Sequence, residues 1–215
     1  MRERGQVGIQ QPRKNKEREF SMRLKMRIFL SSLLLLAAVL YPYAPLRSDD
    51  TKSMRTPDVV YVGTPYDIVS KMLKMARIKK SDMVYDLGCG DGRILVLAAQ
   101  KYGCRGVGYD IDPERVKASR ENVTKNGVDK LVKIVQADIF TLDLQKANVI
   151  PLYLLPEMNR KLLPQLDKLK PGSRVVCHNY DLDGIVADAV VEMVSNEDNS
   201  NHTLTLYTTP LKRKY

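Results

Sequence analysis

The sequence predicts an α/β fold with a doubly wound, seven-stranded and mostly parallel sheet, ending in an antiparallel C-terminal edge hairpin. Three observations lead to this fold class. Strand-like and helix-like segments alternate five times along the chain. A glycine-rich turn connects the first of these strands directly to its helix. Two segments of alternating polarity, joined by a polar turn, then close the chain in the manner of a hairpin.

The N-terminal quarter of the chain differs in composition from the rest. Residues 1–27 carry nine Lys and Arg without an apolar periodicity and are predicted to be a basic disordered tail. Residues 28–46 are 19 positions without a charge, which favours a membrane anchor or the apolar part of a signal sequence. Residues 47–58 are then a linker, and residues 59–215 form the domain.

The apolar segment sets the expected localisation. We expect a membrane-associated protein with a single-pass N-terminal anchor, because prolines surround Ala44, the one candidate cleavage site. Export after removal of a signal peptide and a cytoplasmic location are the alternatives.

Charge is unevenly distributed, which bears on the expected partners. The chain has a formal net charge of +10, but residues 1–55 hold 12 basic and 5 acidic side chains, whereas residues 56–215 hold 23 and 20. The domain itself is nearly neutral, so we expect no nucleic-acid partner. Three widely spaced cysteines without a C-x-x-C pair indicate neither a disulfide framework nor a metal site.

The domain is predicted to begin with an apolar run at residues 59–62, followed shortly by Thr64 and Pro65. Thr64 before Pro65 predicts a helix N-cap and the first helical residue, and helical spacing extends from Asp67 to Arg77. Tyr61 and Thr64 are either packing and capping residues or a lip over a ligand pocket, because they directly precede the glycine-rich unit.

A glycine-rich loop after the first strand is the main candidate ligand site. The strand ends at Asp86, and three glycines at alternate positions precede a new apolar run that starts at Ile94. Gly88, Gly90 and Gly92 allow a sharp turn and close approach of a ligand, and the following helix offers unpaired N–H groups. This segment therefore predicts a strand, a nucleotide-cradling loop and a helix.

A second strand, residues 106–110, ends in Asp110, which lies 20 residues beyond Gly90. At this distance a βαβ unit delivers a carboxylate to the two hydroxyls of a bound ribose. Asp112 is the competing acid, but its position directly before Pro113 predicts a helix cap. We therefore assign the ribose to Asp110.

A third predicted strand, residues 132–137, ends at Asp138 and Ile139. An adenine needs an acceptor for its amino group and apolar cover for its faces. Asp138 and Ile139 supply both, so they are the predicted adenine site.

The rest of the chain completes the predicted sheet. Residues 149–155 are almost wholly apolar, as in a central parallel strand. The helix that follows, residues 156–169, is interrupted or begun anew at Pro164. The last predicted strands are residues 174–180, parallel to the others, and the hairpin of residues 187–194 and 203–208.

The glycine loop departs from the dinucleotide-binding pattern G-x-G-x-x-G, because Arg93 stands where the third glycine would be. With Asp110 and Asp138 in register, the loop instead resembles that of class I S-adenosylmethionine-dependent methyltransferases. A closer likeness is to a group of small methyltransferases that includes mitochondrial protein-lysine methyltransferases and bacterial relatives, a group in which an N-terminal hydrophobic segment also occurs. The sequence features that carry it are residues 61–65, 84–93, 152–157 and 202–207.

The resemblance implies a Rossmann-like fold, S-adenosyl-L-methionine as cofactor and methyl transfer as the reaction. This cofactor has no phosphate, so it is compatible with acids at Asp86 and Asp91, which would repel a pyrophosphate. Asp86 and the glycine backbone would surround the methionine part, with Asp110 on the ribose and Asp138 at the adenine. The residues assigned to cofactor binding are Tyr61, Thr64, Asp86, Gly88, Gly90, Gly92, Asp110, Asp138 and Ile139.

The resemblance also implies a protein lysine as the methyl acceptor, with a small molecule as the alternative. The sulfonium is a good leaving group, so alignment and exclusion of water suffice and no enzyme nucleophile is needed. The catalytic candidates follow strands four and five, and each also has a structural explanation. They are Tyr153, Glu157, His178 and Asp181. A catalytically silent, membrane-tethered nucleotide-binding module is the competing class, and Arg93 disfavours an NAD-dependent oxidoreductase.

Overall fold

A computed structural model describes Thr56 and residues 61–214. Four α-helices, one 3₁₀ turn and seven strands follow one another in this part of the chain. Their bounds are α1 Tyr66–Met75, β1 Met83–Leu87, α2 Arg93–Tyr102, β2 Arg105–Asp110, α3 Pro113–Lys125, β3 Val132–Gln136, the 3₁₀ turn Ile139–Thr141, β4 Val149–Leu152, α4 Pro156–Leu166, β5 Arg174–His178, β6 Ala189–Val194 and β7 Asn201–Thr208.

The seven strands form one mixed sheet in the order β3-β2-β1-β4-β5-β7-β6. The first five strands are parallel to their neighbours, whereas β7 runs antiparallel to both β5 and β6. The predicted doubly wound fold and its C-terminal hairpin are thus confirmed. The last strand lies inside the sheet because it carries the buried side chains Leu204 and Tyr207, while Val190 and Val194 of the edge strand β6 are more than half exposed.

Apolar side chains cover both faces of the sheet, since successive strand residues point to opposite sides. Val84 of β1 packs with the core beneath α1, α2 and α3, and its neighbour Tyr85 packs with the core beneath α4. Ile150 of β4 and Leu162 of α4 are fully buried in this second core. The central position predicted for the apolar fourth strand is confirmed, since β4 lies between β1 and β5.

The start of α1 differs from the prediction. The helix begins at Tyr66 and Pro65 stands at its N-cap position, so the prediction that Thr64 caps this helix is wrong. The first two N–H groups, those of Tyr66 and Asp67, instead donate to the Glu197 carboxylate at 3.0 and 3.1 Å. A carboxylate from the turn between β6 and β7 thus caps a helix 130 residues earlier in the chain.

Helix α4 runs without a break to Leu166 and contains Pro164. Asp112 caps α3 as predicted, accepting a hydrogen bond from the Glu114 N–H at 2.8 Å. No helix within residues 61–214 is long and apolar enough to cross a membrane. The predicted tail, the apolar segment at residues 28–46 and most of the linker lie outside the described residues.

Candidate active site

An open pocket of about 940 Å³ lies at the carboxyl ends of the parallel strands. This size is ordinary for a site that binds a cofactor-sized ligand. Eight of the residues predicted to form the site line it, and they follow β1, β2, β3 and β4 or precede α1. These are Tyr61, Thr64, Asp86, Gly88, Asp110, Asp138, Ile139 and Tyr153.

The three loop glycines all have positive φ angles, of 77°, 56° and 76°. Only Gly88 lines the pocket, whereas Gly90 and Gly92 are needed for packing behind it. A Cβ on Gly90 would lie 2.0 Å from Cε2 of Tyr61, and one on Gly92 would lie 3.1 Å from Cβ of Ser119. The loop conformation therefore excludes side chains at these positions for steric as well as conformational reasons.

Asp86 places a buried carboxylate at the floor of the pocket. It is 3% exposed, and its Oδ2 atom has no hydrogen-bond partner among the described residues. Burial, together with the nearby charges of Asp110 and Asp91, raises the pKa of Asp86 to about 8. An unpaired buried carboxylate that faces a pocket is suited to a positively charged ligand, which would restore its ionised form.

Asp110 is fixed by the backbone on both sides of the pocket. Its two carboxylate oxygens accept hydrogen bonds from the Gly90 N–H at 2.9 Å and the Asp112 N–H at 3.0 Å. Burial raises its pKa despite these bonds. Each oxygen can accept more than one hydrogen bond, so this oriented carboxylate can still accept from ribose hydroxyls.

Asp138 and Ile139 stand at the other end of the pocket, where β3 ends. The Asp138 carboxylate accepts a hydrogen bond from the Phe140 N–H at 3.0 Å and starts the 3₁₀ turn, while Ile139 is buried. The structure therefore brings the two residues to the pocket wall together, as the adenine assignment requires.

Arg93 holds the segment before α1 against the glycine loop, a role that the sequence analysis missed. Its guanidinium binds both carboxylate oxygens of Asp91, with an Nη2–Oδ2 distance of 2.7 Å, and donates to the Thr64 carbonyl at 3.0 Å. It also lies 5.1 Å from the ring centroid of Tyr66. The Asp-x-Arg spacing at the start of α2 is a local sign of this pair, but only the fold shows what it clamps.

Tyr61 lies over the loop, as the lip hypothesis expected. Its ring covers Gly90, and the Arg115 guanidinium lies 5.1 Å from the ring centroid. Burial and the neighbouring Asp91 raise the pKa of Tyr61 to about 12. Its buried hydroxyl has no hydrogen-bond partner within residues 61–214, so a bound ligand can use it.

The catalytic candidates separate in the structure. Tyr153 lines the pocket, and its ring lies 4.0 Å, centroid to centroid, from that of the fully buried His178. His178 lies behind the pocket wall, where its Nδ1 is 3.3 Å from the Thr64 hydroxyl. Glu157 and Asp181 are exposed, and neither lines the pocket. Glu157 lies in the first turn of α4, where its charge favours the helix.

Comparison with known proteins identifies similar sequences along most of the domain. The family model of the ANTKMT methyltransferase domain matches residues 86–189. A protein-lysine N-methyltransferase of Saccharolobus islandicus is 41% identical over 153 residues, covering 70% of this chain and 94% of that protein. A lysine N-methyltransferase of Xenopus laevis, named for a component of ATP synthase, is 30% identical over 135 residues, or 60% of this chain, which spans 57% of that protein.

A solved structure is similar to the same part of the chain. It is the crystal structure of an RNA methyltransferase from Salinibacter ruber in complex with S-adenosyl-L-homocysteine. The two chains are 42% identical with a TM-score of 0.65, and the match covers 69% of this chain and 94% of the other.

Proposed function

This chain belongs to the class I S-adenosylmethionine-dependent methyltransferases, in the family of the protein-lysine N-methyltransferases, and we propose that it methylates a lysine side chain of a protein. The similarity along 94% of an archaeal protein-lysine N-methyltransferase is the observation that carries the acceptor. The chain matches only part of the methyltransferase named for an ATP synthase component, so that substrate is not transferred to it.

The pocket fits S-adenosylmethionine, the cofactor of this family. Asp86 offers an unpaired buried carboxylate to a cofactor that carries a sulfonium and an ammonium group. Asp110 offers oriented acceptors for ribose hydroxyls, and Asp138 with Ile139 suits adenine. Carboxylates outnumber guanidinium groups in the pocket lining, which opposes a dinucleotide with its negatively charged pyrophosphate.

The chain's contribution to the reaction is to orient and desolvate the acceptor. S-adenosylmethionine supplies a methyl group on a positively charged sulfur, which is a good leaving group. A free lysine amine has a pKa of about 10.4 and must lose its proton before it can attack. Tyr153, Leu154 and Met158 form an apolar wall of the pocket, and burial against such a wall lowers an amine pKa and excludes water.

Tritiated methyl labelling tests this proposal. The full-length protein is incubated with labelled S-adenosylmethionine and an extract of cells that lack the gene, and Asp110→Ala serves as the control with impaired cofactor binding. We expect label that is sensitive to protease, resistant to ribonuclease and recovered as methyl-lysine after hydrolysis. Because the structural relative from Salinibacter ruber is described as an RNA methyltransferase, label in RNA alone would refute the lysine proposal. Label confined to small molecules would refute it equally.

We further propose that residues 28–46 attach the enzyme to a membrane. The support is the run of 19 uncharged residues between Arg27 and Arg47, long enough to enter a bilayer with some adjustment. Alkaline carbonate extraction of membranes is the test. The full chain is expected to stay in the membrane pellet, and a chain that lacks residues 1–46 is expected in the supernatant; release of both would refute attachment through this segment.

A further inference from the structure

Four polar side chains form one hydrogen-bonded series from the protein surface to the pocket wall, here called the histidine chain. The Asp198 carboxylate lies 3.2 Å from Nε2 of His202, and Nδ1 of His202 lies 2.8 Å from Nε2 of His178. Nδ1 of His178 then lies 3.3 Å from Oγ1 of Thr64, which lines the pocket. Exposure falls from 42% at the Asp198 side chain to 6% at His202 and 0% at His178.

The carboxylate end fixes the direction of all these hydrogen bonds. Ionised Asp198 can only accept, and the hydrogen bond from the Ser200 N–H, followed by His202, holds its pKa below the usual value. Neutral His202 therefore donates from Nε2 and accepts at Nδ1. His178 in turn donates from Nε2 and accepts at Nδ1, which leaves the Thr64 hydroxyl as the donor to His178.

The environment of His178 keeps its ring neutral, as this direction requires. Burial, and then the charge that His202 can carry, lower the pKa of His178 to about 4, and Asp198 opposes this more weakly. The groups that face the ring are Thr64, His202 and the ring of Tyr153. The His178 imidazole thus acts as a fixed acceptor for the Thr64 proton over the physiological pH range.

We propose that Asp198, His202 and His178 are positioning residues that turn the Thr64 proton inward, so that Thr64 Oγ1 accepts a hydrogen bond from the methyl-accepting amine. This inference rests on the proposed lysine methylation. A neutral amine has two N–H groups and one lone pair, and the lone pair must attack the methyl group. An acceptor binds an N–H and leaves the lone pair free, whereas a hydroxyl donor would occupy the lone pair.

The position of Thr64 on the sheet supports this role. Asp110 and Asp138 follow β2 and β3, on one side of β1, so an adenosine bound there leaves the other side of the pocket open. On that side, Tyr153 follows β4 and His178 ends β5. The acceptor therefore enters where the Thr64 hydroxyl lies.

The turn between β6 and β7 provides a matched control. Besides Asp198 it contains Glu197, whose carboxylate caps α1 and takes no part in the histidine chain. Glu197→Gln removes the same charge from the same turn. It therefore separates a loss of charge or of turn stability from a loss of the hydrogen-bond direction.

The first test reads the proton positions. His178 and His202 are the only histidines in the sequence, so nitrogen–proton NMR spectra of the histidine-labelled full-length protein report on these rings alone. We expect both rings to be neutral with the proton on Nε2 at about neutral pH. In Asp198→Asn the amide can donate to His202, and we expect its proton to move to Nδ1. A doubly protonated or Nδ1-protonated ring in the unsubstituted protein would overturn the proposed direction.

The second test is a double-mutant cycle on methyl transfer. Thr64→Val is expected to lower kcat about tenfold, the effect of one lost hydrogen bond, while Thr64→Ser stays within about twofold. Asp198→Asn should lower kcat in the unsubstituted protein but not in Thr64→Val, with the KM for S-adenosylmethionine unchanged in both. Glu197→Gln should leave kcat unchanged.

An equal loss from Asp198→Asn in both backgrounds, or an equal loss from Glu197→Gln, would overturn the inference. Failure of the proposed function has a different signature, because no lysine would then be methylated by any variant. The proton positions of the two histidines can be read in either case and still test the direction of the histidine chain.

Discussion

Replacing Asp86 by Asn is the most direct perturbation of the pocket. The carboxylate is almost fully buried and one of its oxygens lacks a hydrogen-bond partner among the described residues. An amide of nearly the same shape cannot ionise, so Asp86→Asn removes the titration while keeping the volume. The variant should therefore differ from the unsubstituted protein in how its stability depends on pH.

The magnitude follows from the pKa of Asp86, which burial raises from 3.8 to about 8. Between these values the folded protein holds a proton that the unfolded chain has released. The stability contributed by Asp86 is thus complete below the unfolded pKa and is lost as pH rises toward the folded pKa, at about 1.4 kcal/mol per pH unit. By about pH 7 the accumulated loss is about 4 kcal/mol, and Asp86→Asn avoids it.

Urea denaturation of the full-length protein and of Asp86→Asn, in steps from about pH 5 to about pH 8, measures this difference. Titration of His178 is common to both proteins and cancels. We expect the free energy of unfolding of Asp86→Asn relative to the unsubstituted protein to rise with pH. Saturating S-adenosylmethionine should remove that slope, because a cationic cofactor favours the ionised carboxylate. A difference that is independent of pH would refute the reasoning.

Three further substitutions test the rest of the site. Asp110→Ala should weaken S-adenosylmethionine binding by about 1–3 kcal/mol in calorimetric titration, and unchanged affinity would remove Asp110 from the site. Gly90→Ala places a Cβ 2.0 Å from Tyr61, so we expect a loss of about 1–3 kcal/mol in urea denaturation together with weaker cofactor binding. A stability equal to that of the unsubstituted protein would contradict this close contact. Arg93→Lys loses the two-oxygen contact with Asp91, and we expect it to lower stability by about 1 kcal/mol and to increase protease cleavage near residue 61. Unaltered cleavage would show that the clamp does not hold the segment before α1.

The features that the sequence predicted correctly are encoded over short distances. Strand and helix periodicity indicated the alternation of the first five strands with helices, and the glycines before α2 indicated a tight turn with positive φ angles. The spacing of Asp110 from Gly90 placed a carboxylate beside the loop, where the two residues are hydrogen-bonded. Asp112 was identified as a cap from its neighbour Pro113 alone. In each case the determining interaction lies within a single βαβ unit.

The features that the sequence did not predict involve partners that are far apart along the chain. Thr64 has the local pattern of a helix cap, but its hydroxyl lies beside His178, 114 residues later, and Glu197 caps the helix instead. The insertion of β7 beside β5 depends on which hairpin strand buries more apolar surface against the rest of the sheet. Local patterns are therefore sufficient for the fold class and the cofactor loop. The polar groups that meet behind the pocket are specified only in the folded chain, because their contacts depend on strand order rather than on local periodicity.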